Sequence, residues 1–202
     1  MRFLCIFAQM EVTNLLDIHS REDLYRWYSE NHDKEKSFWL RVNRADKPFP
    51  DVVGYIDAVE VALCFGWIDS TQKRIDDGKP IQHFTPRRKG SNWCWQNIER
   101  CYRLIANGEM TPSGLAVMPD WKPEDFVFQD WAVDALKADP EVWSNFQRFP
   151  DVYKRIKLDR IQHYMDTGRP EQARKALENF IRDTKAGKIQ RGWDDGGRLK
   201  GV

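Results

Sequence analysis

The spacing of the apolar residues changes near residue 90, and this change limits the folds open to the chain. In 37–43, Phe38, Leu40 and Val42 alternate with residues of the other face, which is the period of a strand. After Trp95 the apolar residues recur every three to four positions, as in amphipathic helices. The sequence therefore predicts an α+β fold: a small, mostly antiparallel sheet flanked by helices, followed by an all-helical C-terminal subdomain.

Turn and cap residues place the individual elements of the first half. They predict, in chain order, a strand over 12–18, a helix capped by Ser20, a strand over 37–43, a helix over 55–63 ended by Gly66, a strand over 67–75, a turn at Asp77-Gly78 and a strand over 81–84. A helix with Trp95, Ile98, Tyr102 and Ile105 on one face then ends at Gly108.

The second half is predicted to contain helices alone. Its clearest apolar stripe has Phe180 at its centre, and this last helix is expected to form an antiparallel hairpin with the helix that ends near Thr167. We place a domain boundary after residue 118, giving an α+β region over 1–118 and a helical subdomain over 119–202.

Charge and hydropathy argue against several classes of protein. The 202 residues contain 32 Lys+Arg and 31 Asp+Glu, so no global field attracts nucleic acid. The mild basic excess of residues 151–202 is most simply a solvated surface. The apolar stretch over 3–8 is too short for a membrane span, which needs about 20 residues. Met10 is an alternative start, with 1–9 as an upstream extension.

The cysteines and histidines do not indicate a metal or a disulfide. The four cysteines show no CxxC spacing, and Cys94 and Cys101 are too far apart on one predicted helix to be bridged. Reduced thiols in a cytoplasmic protein are the preferred interpretation. The four histidines form no HxxxH or HExxH pair, so we expect neither a metal nor another cofactor.

A basic loop over 85–90, followed by a predicted helix start, is the strongest candidate site. The unpaired N–H groups at a helix start favour an anion, and Ser91 can cap the helix or donate to a ligand. In the alternative interpretation the arginines pair with Asp69, Asp76 or Asp77 and lock the hairpin. Tryptophans near the loop either line a pocket or belong to the core. The candidate ligand-binding residues are Asp69, Arg87, Arg88, Ser91, Trp93, Asn97 and Arg100.

Two motifs in this region resemble those of a known family. The run over 60–70, with the letters ALCFGWID, and the FTPRR run over 84–88 are similar to the YdeI/OmpD-associated (bacteriocin-protection) family. Asn97, Arg100 and Gly108 continue the same pattern. The resemblance implies association with an outer-membrane porin and protection against bacteriocins or cationic peptides. It implies no reaction and no cofactor.

Three functional classes remain open on the sequence alone. The first is a protein that binds a small anion, or an enzyme that uses Asp69 as a buried carboxylate. The second is a stress-protection or interaction module that binds a protein partner through its C-terminal helices. The third, a nucleic-acid binder, is the least favoured. No nucleophile elbow, P-loop or GxGxxG motif is present, so whether the protein is an enzyme stays open and no catalytic residue is assigned.

Overall fold

The chain folds into two compact units. The computed structural model describes residues 11–44, 51–75 and 78–200. A sheet unit comprises Met1–Lys89 with Thr111–Val117, and a helical unit comprises Gly90–Met110 with Met118–Val202. The predicted boundary after residue 118 stays a prediction. The α+β class and the helical second half are both confirmed.

The sheet unit contains a mixed sheet. Its elements are β1 (Leu15–Leu16), α1 (Arg21–Asn31), β2 (Phe38–Asn43), β3 (Val53–Gly54), α2 (Tyr55–Cys64), β4 (Trp67–Arg74), β5 (Pro80–Pro86) and, after an excursion of the chain, α4 (Pro112–Val117). The strand order is β1-β2-β5-β4, with β3 beside β2. The longer pairings, β2 with β5 and β4 with β5, are antiparallel, whereas β1 and β3 each pair two residues with β2 in parallel.

Most elements lie where the sequence predicts them, but the first strand does not. The expected strand over 12–18 is reduced to two residues, because Asn14 has a φ of 58° and so interrupts the extended backbone. Ser20 caps α1 as predicted, since its hydroxyl accepts the N–H of Asp23 at 3.0 Å. The predicted turn at Asp77-Gly78 begins outside the described residues.

Glycines at two positions allow α2, β4 and α4 to approach one another closely. Gly66 ends α2 with a φ of 75°, and a Cβ at this position would lie 2.8 Å from the carbonyl oxygen of Ser113. A Cβ at Gly114 would lie 2.3 Å from the carbonyl oxygen of Cys64. Side chains are therefore excluded where the chain leaves α2 and enters β4, the strand that carries Asp69.

The helical unit contains an apolar core built from residues of 132–199. It contains α3 (Trp95–Ala106), α5 (Asp130–Lys137), α6 (Pro140–Arg148), α7 (Asp151–Asp166) and α8 (Pro170–Lys185). Only three residues join α7 to α8, so these helices form the predicted antiparallel hairpin. Phe180 is fully buried among residues of α6 and α7. Among the described residues, no helix has the length and apolar character needed to cross a membrane.

Candidate functional site

The start of α3 is occupied by a carboxylate of the protein itself. The helix begins at Trp95 with Cys94 as its N-cap, so the expectation that Ser91 caps it is wrong. The N–H of Trp95 donates to Asp159 of α7 at 3.0 Å, and burial raises the pKa of this carboxyl while the N–H of Trp95 lowers it. The anion that a helix start attracts is supplied here by Asp159, 64 residues away in the chain.

The two units divide the seven predicted site residues between them. The sheet unit contains Asp69, Arg87 and Arg88, and the helical unit contains Ser91, Trp93, Asn97 and Arg100. Arg87 is 8% exposed whereas Arg88 is an exposed residue, so the adjacent arginines alternate in direction as expected. Asp76 and Asp77, two of the carboxylates considered as their partners, lie outside the described residues.

Arg100 belongs to an internal ion pair. Its Nε and Nη2 donate to the carboxylate of Asp195 at 2.7 and 2.9 Å, and its Nη1 donates to Asn97 at 2.6 Å. Gln96 donates to the same carboxylate at 3.0 Å. The side chains of the pair are 9% and 3% exposed. Arg100 thus anchors the segment after α8 to α3, a structural role with a partner that the sequence did not indicate.

Asp69 is held by a tyrosine of the same unit. The hydroxyl of Tyr55 donates to Oδ2 of Asp69 at 2.7 Å. Burial and then the nearby carboxylate raise the pKa of Tyr55 to about 12, so this donor keeps its proton at neutral pH. The guanidinium of Arg44 lies 3.3 Å from the centre of the Tyr55 ring and donates to Gln82 at 2.9 Å. This polar cluster orders the inner face of β4 and β5.

The helical unit has an open cavity of about 750 Å³, which we call the α3–α7 cavity. Its volume suits a small organic molecule. Apolar side chains form its walls: Pro123, Pro150, Val152, Ile189, Trp193 and Leu199. The polar side chains that line it are those of Glu99, Tyr102, Asp151, Arg155 and Lys200.

A buried ion pair in the α3–α7 cavity fixes one arginine and leaves part of it available. Nε of Arg155 donates to Glu99 at 2.5 Å, and the two side chains are 11% and 1% exposed. Among the described residues, the terminal nitrogens of Arg155 donate to no protein group, and solvent reaches them. Glu99 therefore orients a guanidinium whose two outer N–H edges can receive an anion.

Sequence reasoning missed this cavity, although one signal for it was present. Glu99 lies on the face of α3 that also carries Trp95 and Tyr102, and Arg155 lies beside Val152 on α7. Each of these two helices carries one charged residue within its apolar stripe, and the two charges have opposite signs. This pattern is expected of a buried ion pair. Among the described residues, no group of three potential metal ligands is assembled.

A family model matches part of the chain. The model of a family described as a domain of unknown function (DUF8412) matches residues 16–117. No curated protein and no solved structure matches the chain. The matched segment runs from β1 to the end of α4 and includes α3, so it contains Glu99 and Tyr102 but not Arg155.

Proposed function

We propose that this chain, which belongs to the DUF8412 family, binds a small amphipathic anion in the α3–α7 cavity. The observation that supports the proposal is the geometry of Arg155, whose Nε is fixed by Glu99 while its terminal nitrogens are open. The ligand class agrees with the anion expected from the sequence. Its location differs, because the start of α3 already receives Asp159.

The electrostatics of the cavity favour a carboxylate over a neutral group. The negative charge of Glu99 is taken up by Nε of Arg155, and Asp151 pairs with Lys154 at 2.6 Å. A carboxylate that meets the outer edge of Arg155 forms charge-assisted hydrogen bonds, which contribute about 1.5 to 3 kcal/mol each. Lys200 lines the same cavity, and its positive charge is compensated by Asp194, with which it pairs at 2.9 Å.

The walls of the cavity require an apolar body on the ligand. Trp193 and Leu199 are 3% and 1% exposed, and Ile189, at 44% exposure, lies on the same lining. Transfer of apolar surface from water onto these side chains contributes about 25 cal/mol per Å². An inorganic anion gains nothing from the walls, so a medium-chain carboxylate is the simplest probe of the site.

Calorimetric titration with octanoate tests the proposal, with 1-octanol and inorganic phosphate as comparison ligands. Octanoate should bind more tightly than either, because it alone satisfies both the guanidinium and the walls. Arg155→Met should weaken octanoate binding by roughly 10- to 150-fold. Arg160→Met, an exposed change on the same helix, is the matched control and should bind as the wild type does.

The double variant Glu99→Gln/Arg155→Met guards against a folding artefact, because it leaves no buried charge without a partner. It should fold and still fail to bind octanoate tightly. Equal affinity of the wild type for octanoate and 1-octanol, or unchanged binding in this folded double variant, would contradict the proposal.

Exposed apolar side chains before α5 support a second proposal, that the protein acts as a protection or interaction module. Val127 is 72% exposed and Trp121 is 41% exposed. The motif resemblance to the YdeI/OmpD-associated family agrees with such a role. Bacterial cells producing the wild type should then survive a cationic peptide better than cells producing Trp121→Ser/Val127→Ser. Equal survival, with both proteins folded, would argue against this function.

A further inference from the structure

A bulge in β4 directs a serine hydroxyl toward a histidine. Asp69 pairs with Phe84 and the next paired residue, Gln72, faces Gln82, so Ser70 and Thr71 together oppose the single residue His83. Bulges of this kind re-aim side chains and occur often beside active sites. Oγ of Ser70 lies 3.0 Å from Nδ1 of His83, which is hydrogen-bonding distance.

Buried groups hold both partners of this pair in place. Gln82, which is 1% exposed, donates to the carbonyl oxygen of Ser70 at 3.1 Å and so fixes the backbone of the bulge. The ring of His83 packs on that of Trp39, with 4.7 Å between their centres, and His83 is 9% exposed. Ser70 itself is exposed to solvent. A molecule in solution can therefore reach the hydroxyl while the imidazole behind it stays ordered.

The environment of His83 suits a general base. Burial, and then the positive charge of Lys73, lower the pKa of its imidazole below the ordinary 6.5, so the ring is neutral at pH 7. With the proton on Nε2, Nδ1 is free to accept from Ser70. The competing acceptor, the carbonyl oxygen of His83, is farther from Oγ at 3.4 Å.

We propose that Ser70 is a nucleophile activated by His83 and that it accepts the acyl group of small activated esters. Oγ attacks the ester carbonyl carbon while its proton passes to Nδ1 of His83. The C–O bond to the leaving group then breaks, and the released oxygen takes the proton from His83. Water, deprotonated by the same nitrogen, later attacks the acyl carbon; the bond from that carbon to Oγ breaks, the carboxylic acid leaves, and Oγ of Ser70 takes the proton back from His83.

Mass spectrometry after exposure to p-nitrophenyl acetate tests this assignment. The wild type should gain one acetyl group on the peptide that contains Ser70, and Ser70→Ala should not. Thr71→Ala removes the neighbouring exposed hydroxyl of the same bulge and should leave acetylation unchanged. Labelling of that peptide in Ser70→Ala at the wild-type rate would overturn the proposal.

The role of His83 needs a separate measurement, because a serine can be acetylated without a base. His83→Gln should slow nitrophenolate release about 100-fold, within the usual range for loss of a general base. Thermal melts establish whether this variant folds. The wild-type rate should also be constant above neutral pH and fall as His83 is protonated below pH 6.5. A rate that keeps rising with hydroxide concentration above neutrality would show that His83 does not act as the base.

Discussion

The buried ion pairs of the helical unit link more distant parts of the chain than the polar cluster around Asp69 does in the sheet unit. In the helical unit, Arg100 pairs with a carboxylate 95 residues away and Arg155 with one 56 residues away, and these side chains are at most 11% exposed. Around Asp69 in the sheet unit, the contacts join residues 12 to 38 apart, as in Gln82–Ser70 and Arg44–Gln82. Loss of one partner should cost more in the helical unit, because a full charge is left buried there.

Removal of Phe180, at the centre of the apolar core, should cause the largest loss of stability in the helical unit. Phe180 is fully buried and its ring contacts those of Phe146 and Tyr153. Phe180→Ala should lower the free energy of unfolding by about 3 to 5 kcal/mol, from lost burial and the cavity that remains. Urea denaturation measures this change, with Val127→Ala, at a 72% exposed position, as the control that should stay close to wild type.

The ion pair between Arg100 and Asp195 tests directly whether loss of a buried partner has a large cost in the helical unit. Asp195→Asn removes the carboxylate charge that the buried guanidinium of Arg100 contacts, so we expect a loss of about 3 kcal/mol in the free energy of unfolding. Asp194→Asn is the neighbouring control, because its partner Lys200 is 64% exposed, and it should cost less than about 1 kcal/mol. Equal losses in the two variants would show that burial of the pair does not determine its contribution.

The adjacent arginines of the basic loop, Arg87 and Arg88, allow the loss of a buried and of an exposed arginine to be compared within the sheet unit. Arg87→Ala should destabilise the fold by about 1 to 3 kcal/mol, because the side chain is 8% exposed and its polar groups are in the interior. Arg88→Ala should leave the thermal midpoint unchanged, since that side chain is exposed. A larger loss of unfolding free energy for Arg87→Ala than for Asp195→Asn would contradict the expectation that loss of a partner costs more in the helical unit.

Loss of the hydrogen bond between Tyr55 and Asp69 should lower the free energy of unfolding by a smaller amount. Tyr55→Phe removes the donor to Asp69, and we expect a loss of about 1 to 2 kcal/mol because both side chains are partly exposed. Tyrosine absorbance measured against pH should also lose a group that titrates at about 12. Persistence of that group in Tyr55→Phe would assign the raised pKa to another tyrosine.

The same difference in sequence distance explains what the sequence could predict. The helix cap at Ser20, the strand over 38–43 and the α7–α8 hairpin follow from residues close together in the chain, and each is found. Asp159, by contrast, contacts the start of α3 only when α7 packs against that helix. Local periodicity contains no information on which distant carboxylate an arginine or a helix start will meet. The α3–α7 cavity was missed for this reason.

The smallest expected effect concerns Asp159, whose own negative charge opposes folding because the carboxylate is buried. Its pKa is raised in the folded state, chiefly by burial, so the folded chain binds more protons than the unfolded chain between pH 3.8 and that higher value. Its contribution to stability therefore falls as pH rises through this window and stays lower at neutral pH.

Asp159→Asn keeps an oxygen that can accept the N–H of Trp95 but cannot titrate. At pH 7 its free energy of unfolding should lie within about 1 kcal/mol of wild type, with no loss attributable to the missing charge. Salt-bridged carboxylates with lowered pKa values, such as Asp151 and Asp194, give the opposite slope, so the informative quantity is the difference between variant and wild type at each pH. That difference should shift in favour of the variant as pH rises from 4 to 7. A shift in favour of the wild type would mean that the ionised Asp159 stabilises the start of α3, as the buried carboxylates of the ion pairs stabilise their arginines.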